Sequence, residues 1–363
     1  LLSNREYKKS KYRVSQTTTF RQDLETLSEE NADVDDNEDT ISLNEDEINS
    51  KSQRLVEWNV QVLSKLLQHI VAARGSSTFF DIDLESIEEL ENKLGRDGNV
   101  LDEFQPIICL KRFGVDDLKS RLDPDSVVLD EVVIEQLRGF VSAIASMYKD
   151  NPFHNFEHAS HVTASVDKLL SRIIRTDNSK LLPQNSIHAN YVDFVDLASH
   201  SYGITSDPLT QFAVVFSAII HDLDHPGVPN AQLLNENTRS AQVYKQSIAE
   251  QNSVDLAWEV FTSPEYKDLR LCIYTSTEEL RRFRQLIVNT VMATDIADKS
   301  LNALRKARWQ RAFSESNEES TNESPLQVED RKATIVIEHL IQASDVAHTM
   351  QHWQIYTHWN EKF

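Results

Sequence analysis

Residues 212–230 read FAVVFSAIIHDLDHPGVPN. The first nine positions are apolar apart from Ser217, and the run is far shorter than a bilayer span. Helical spacing reaches back to Pro208, which predicts a core helix over 208–221 stopped by Pro226 and Gly227. His221, Asp222, Asp224 and His225 then crowd into five residues at its end. In the plain reading His221 meets the negative end of the helix dipole and the two acids face water. That leaves the acids unexplained, because carboxylates at a helix C-terminus oppose the dipole. Ionisable groups beside a core are costly unless something compensates them, and a metal ion is the simplest compensation.

Two other stretches carry the same kind of signal. HNFEHASHV, residues 154–162, places three histidines within eight residues, and His154 and His158 are four apart, so on a helix both project from one face. Alone, that pair reads more readily as two satisfied histidines. Asp345 lies in IVIEHLIQASDVAH, on or near the buried face of a helical pattern where an unpaired carboxylate is expensive. His158, His221, Asp222 and Asp345 together offer two imidazoles and two carboxylates from three separate helices, a suitable ligand set for zinc. Asp222 has a second oxygen that can reach a harder ion such as magnesium, and two metals sharing a carboxylate form a clamp for phosphoester hydrolysis.

Outside these motifs the chain is a succession of helical patterns, at 84–94, 125–148, 156–175, 208–221, 231–236, 240–249, 253–262, 277–295, 299–313, 329–348 and 350–362. β-branched alternation is scarce, and seven glycines in 363 residues argue against a turn-rich β fold, so the fold class expected is all-α. Polar inserts at 176–207 and 314–328 read as surface loops. Residues 21–50 hold twelve acids and one base with few large apolar side chains. Such a segment cannot offset its ordering entropy, so 1–51 is expected to be a disordered acidic linker, with 52–99 a helical connector and 100–363 the main domain.

The formal charge is −21, from 37 basic and 58 acidic residues, which disfavours nucleic-acid polymers and anionic lipid surfaces as partners. It does not exclude a small phosphorylated substrate, because a bound cation reverses the field locally. Cys109 and Cys272 lie in apolar surroundings, suggesting reduced thiols and an intracellular compartment, on the cytoplasmic side of any membrane. The chain opens at Leu1 and closes at Phe363 within an aromatic-rich helical pattern, so it is expected to be cut at both ends, with any membrane anchor upstream.

HNFEHASHV resembles the HNxxHAxxV signature, and HDLDHPGVPN the HDxxHPGxxN signature, of class I 3',5'-cyclic nucleotide phosphodiesterases. VMATDIADK and ASDVAH are similar to that family's ATDM and ADLSN segments, in the same order. The resemblance covers roughly residues 100–363. It implies a compact all-helical catalytic domain with a binuclear metal pocket, holding two divalent ions, zinc with magnesium or manganese, and hydrolysing cAMP or cGMP to the nucleoside 5'-monophosphate. Carried over by position, His158, His221, Asp222 and Asp345 are the metal ligands, with Asp222 shared by both ions, and His154 is the general acid. His154 would protonate the O3' leaving oxygen as an acidified water attacks phosphorus in line. His225 and Asp295 correspond to residues that orient the ligands and the water around them. His161 and Asp224 stay outside the ligand set.

Several positions depart from the family pattern. QNSV, residues 251–254, stands where many members carry ENHH, retaining only Asn252. His348 stands where many carry a purine-reading asparagine, and imidazole can donate or accept, so the expectation is dual or unresolved specificity, cAMP, cGMP or both. The family's purine-binding glutamine and clamping aromatic would fall after Phe363, so the C-terminal part of the catalytic domain is expected to be missing. Two rival readings are a different HD-type metal hydrolase, disfavoured by His154, and an inactive nucleotide-sensing or scaffold domain, disfavoured by the full ligand set. The acidic stretch would suit a tether to an upstream cyclase or membrane receptor domain.

Overall fold

The computed structural model describes residues 45–75, 82–95, 99–174, 201–313 and 323–362; the acidic stretch before residue 45 and most of both polar inserts lie outside them. Among the described residues there are fourteen α-helices and no strand, so the chain is all-α as read. In chain order they are α1 (Glu45–Arg74), α2 (Leu84–Lys93), α3 (Val115–Lys119), α4 (Glu131–Met147), α5 (Phe156–Ile174), α6 (Pro208–Ile220) and α7 (Asn230–Asn235). There follow α8 (Arg239–Val243), α9 (Ile248–Phe261), α10 (Lys267–Ile273), α11 (Thr277–Met292), α12 (Lys299–Phe313), α13 (Pro325–Asp345) and α14 (Trp353–Lys362).

Helix α6 is the centre. All thirteen of its residues are buried, as an apolar all-round pattern demands, and α1, α5 and α11 pack around it. Its N-terminus is fixed by Pro208 at the first turn and by Asp207, whose carboxylate accepts from Thr210 N (3.4 Å) and Thr210 Oγ1 (2.7 Å) and pairs with Arg282. Helix α1 starts at Glu45, seven residues before the expected Ser52, and Leu63 and Leu67 on it are fully buried in the cluster that holds α4 and α6. It is thus built into the same core as the residues after 100, and Asn59 donates to Ser160 Oγ on α5 (3.0 Å).

Several boundaries differ from the sequence reading for local reasons. In the 125–148 pattern the helix begins only at Glu131, because Asp130 caps it by accepting from Val132 N. The 240–249 pattern breaks at Val243, and Ser247, with φ +43°, turns the chain into α9. Helix α13 begins at Pro325 because Ser324 and Gln327 form a reciprocal capping box, Ser324 Oγ accepting from Gln327 N and Gln327 Oε1 from Ser324 N.

An aromatic cluster fills the core where α4, α6 and α9 meet. Phe140 stacks on Phe216 at 5.2 Å between centroids and meets Phe261 and Tyr266 edge-on at 5.5 and 5.7 Å. Phe140→Ala is expected to cost about 3–5 kcal/mol, the range for deleting a fully enclosed ring, read as a lower urea midpoint.

Candidate metal centre

The site forms where three helix ends converge. After Ile220 the chain continues through His221, αR in conformation, into a tight turn in which Leu223 N bonds Ile220 O and His225 N bonds Asp222 O. Asp224 takes φ +60° and Gly227 φ +78°, so the turn reverses sharply and leaves Asp222 facing inward. Asn155 starts α5 by accepting from His158 N (3.0 Å), which places His158 in the first turn. Asp345 is the last residue of α13.

Four side-chain atoms from these ends form an alternating ring. His158 Nε2 lies 3.0 Å from Asp345 Oδ1 and 3.6 Å from Asp222 Oδ2, and His221 Nε2 lies 3.1 Å from Asp222 Oδ2 and 3.5 Å from Asp345 Oδ1. No two are more than 4.8 Å apart. Neighbouring ligand atoms about 2.1 Å from a shared cation are separated by roughly 3.0–3.4 Å, so the ring has the dimensions of a coordination shell. His221 Nδ1 bonds Ala218 O (2.9 Å), which fixes the proton there and turns the lone pair of Nε2 into the ring. Nε2 is buried and makes no hydrogen bond of acceptable geometry, even to Asp222. An imidazole so arranged beside two carboxylates fits a divalent cation.

Electrostatics point the same way. Burial works against a charged His221, but Asp222 and Asp345 outweigh it and hold the imidazole well above its ordinary value. Burial would likewise raise both carboxyls, yet His221 and His158 hold Asp222 and Asp345 well below the usual carboxylate range.

The remaining sequence candidates fall around this ring. His154 and His225 are stacked, with centroids 3.9 Å apart and planes at 25°. Burial pulls His154 down to about 4, with Asp222 opposing and His225 and His158 reinforcing, and burial also lowers His225. Asp295 is buried but outside the ring: Oδ2 accepts from Ser247 Oγ (2.8 Å) and Asn230 Nδ2 (3.3 Å), and Oδ1 from Ala297 N and Asp298 N, both at 3.0 Å. His348 meets Phe153 edge-on at 5.3 Å, and its Nδ1 is buried without a hydrogen-bond partner. His161 packs on Trp359 at 5.3 Å, and Asp224 is held by Lys149 (3.1 Å) and Asn252 (3.3 Å), so neither joins the ring.

Three residues escaped the sequence reading. Asn151 bridges the loops that carry His154 and His225. Asn230 donates to Glu250 Oε2 (2.9 Å) as well as to Asp295, placing a second carboxylate beside the first. Burial, then the Asp295 charge, push the Glu250 carboxyl up to about 7, with the Asn230 bond opposing. An acid one position before the QNSV departure was the only sign of Glu250 in the sequence.

An all-helical domain with this ring at the meeting of three helix ends is of the HD-type hydrolase class. Residues 153–363 match the family described as 3'5'-cyclic nucleotide phosphodiesterase, and the chain belongs to that family. Among curated relatives, it is 25% identical over 234 residues to the human dual specificity calcium/calmodulin-dependent 3',5'-cyclic nucleotide phosphodiesterase 1C, covering 63% of this chain and 26% of the relative. It is 28% identical over 185 residues to the human cGMP-inhibited 3',5'-cyclic phosphodiesterase 3A, covering 46% and 16% respectively. The chain therefore spans about a quarter or less of the length of these relatives. Among solved structures, the phosphodiesterase domain of Salpingoeca rosetta rhodopsin phosphodiesterase aligns with a TM-score of 0.46 at 19% identity, covering 79% of this chain and 70% of that one.

The shifted groups set a pH dependence for protein stripped of metal by a chelator. His221 has a folded pKa above the reference value of 6.5, so its stabilisation is complete below pH 6.5 and lost as pH rises through the elevated folded value. Asp222 and Asp345 have folded values below 3.8, so their stabilisation holds above pH 3.8 and is lost only as pH falls through the depressed values. Stripped protein is expected to unfold at progressively lower temperature above pH 6.5, and a divalent cation added at pH 8 is expected to reverse the loss. Thermal unfolding from pH 4 to 9, with and without added metal, measures both.

Proposed function

We propose that the protein hydrolyses 3',5'-cyclic nucleotides to nucleoside 5'-monophosphates, with His158, His221, Asp222 and Asp345 holding divalent metal and His154 as general acid. The single observation that carries this reading is the alternating ring of two imidazoles and two carboxylates with His154 stacked on His225 beside it. When bound, divalent ions would supply Lewis-acid activation of water and neutralise phosphate charge. Zinc suits the two-imidazole ring, and magnesium or manganese suits the oxygen-rich side toward Asp295 and Glu250.

The protein's own residues account for the rest. Hydrolysis forms one P–O bond from water and breaks the P–O3' bond, and the O3' alkoxide needs a proton as it leaves. The His154 ring, stacked on His225 beside the ligand ring, is the group assigned to hold that proton. Its low pKa reflects burial and neighbouring imidazoles, and an incoming cyclic phosphate brings the negative charge that favours the imidazolium. Phe153 packs against His154, His158, His348 and Trp359, an apolar wall that keeps water from the back of the site.

His348 supports dual specificity, since an imidazole can donate or accept according to its tautomer, and the first relative is named a dual specificity enzyme. Both cysteines are free thiols, which supports an intracellular setting. No described helix is long and apolar enough to cross a membrane. Attachment to an upstream cyclase or membrane receptor is part of the same reading, supported by the acidic composition of 21–50.

Turnover of cAMP and cGMP by the intact protein tests the function. Hydrolysis of at least one nucleotide, abolished by a chelator and restored by divalent metal, is expected, with His154→Ala lowering kcat about 100-fold or more. Nucleotide binding without turnover would make it a sensor domain instead.

A further inference from the structure

The segment between α4 and α5 is sewn to the last turn of α6 and to the turn that follows it by three side chains. Tyr148 Oη donates to Ile219 O (2.7 Å), Lys149 Nζ donates to Asp224 O (2.8 Å), and Asn151 Nδ2 donates to His225 O (3.1 Å). Asn151 differs from the other two because the same Nδ2 also donates to His154 O (2.8 Å). A primary amide carries two N–H groups, so one side chain can fix two carbonyls at once. Both partners are carbonyl oxygens, which requires the amide to present its nitrogen rather than its oxygen. Oδ1 is buried and finds no hydrogen-bond partner, so the bridge is all that this side chain contributes in hydrogen bonding.

The bridge is itself anchored. Asn155 Nδ2 donates to Asn151 O (3.0 Å) while Asn155 Oδ1 accepts from His158 N (3.0 Å), linking the bridge to the start of α5. Its two ends are the backbones of His154 and His225, whose rings stack at 3.9 Å. Asn151 itself touches none of the four ring atoms. Resting on the functional reading above, we propose that Asn151 is a positioning residue for the proton transfer, setting the His154 imidazole against His225 and toward the leaving oxygen.

A role confined to the proton donor has a signature that general destabilisation lacks. Cyclic nucleotide hydrolysis expels a poor alkoxide that needs the proton, whereas bis(4-nitrophenyl) phosphate expels a phenolate that leaves without one. In the intact protein, Asn151→Asp keeps the shape and removes both N–H donors; Asn151→Ala removes them without adding charge. Each variant is compared with wild type for metal content by atomic emission, kcat and KM on cAMP and cGMP, and the rate on the aryl diester. The expected result is a kcat on cyclic nucleotide about 10- to 100-fold lower with KM little changed, the aryl diester rate within about twofold of wild type, and metal content intact. Equal losses on both substrates, undiminished nucleotide turnover, or failure of both variants to fold would each overturn the proposal. A wild-type protein that cleaves the aryl diester but neither nucleotide would overturn the functional reading and the role of Asn151 with it, whereas a defect seen only in the variants concerns Asn151 alone.

Discussion

Two helices deliver negative charge to the same point, and the rest of the site answers that constraint. Helix α6 ends at Ile220 and α13 at Asp345, so the negative ends of both dipoles meet where Asp222 and Asp345 add a carboxylate each. Such an arrangement is unstable unless positive charge is supplied. The imidazoles of His158 and His221 are the nearest groups able to carry it, each within 3.6 Å of both carboxylates. A divalent cation held there would satisfy both dipoles and both acids together and would leave the imidazoles free to be neutral.

That demand was legible in the sequence because it violates ordinary patterning. Acids after the apolar run of α6, and Asp345 on the buried face of α13, conflict with burial and dipole at once, and such conflicts mark sites. The long helices were legible for the opposite reason, since their apolar period agrees with the fold. What escaped depends on partners distant in the chain. Asn151 reaches His225 across 74 residues with no local pattern to announce it. Asn230 closes the HDLDHPGVPN motif, but its links to Glu250 and Asp295 across 20 and 65 residues have no local sign. Helices α3 and α10, of five and seven residues, are too short to show a period. Helix α1 displayed its period plainly, but whether that stripe faces a partner or this same core is decided only by packing.

Helix termini also explain why His154 sits where it does. The last carbonyls of α6 lack intrahelical partners, and burial around α6 leaves little water to satisfy them. Tyr148 Oη takes Ile219 O, and Leu223 N takes Ile220 O. The chain that leaves α4 is therefore bound to the end of α6 for reasons of backbone satisfaction, and three residues beyond Asn151 it presents His154. Capping the central helix and placing His154 beside His225 are one arrangement.

The same apolar surroundings sort the histidines by function. Phe153 is buried and contacts four rings of the site, among them His154 at 5.0 Å and His348 at 5.3 Å. Desolvation of this kind penalises any unpaired imidazolium, and His154, His225 and His348 are all lowered with burial as the leading cause. His221 is more deeply buried than any of these, yet it is raised, because two carboxylates face it. Burial alone would have made the four alike. The position of the carboxylates divides them, and opposite shifts in adjacent groups are what acid–base chemistry beside a metal requires.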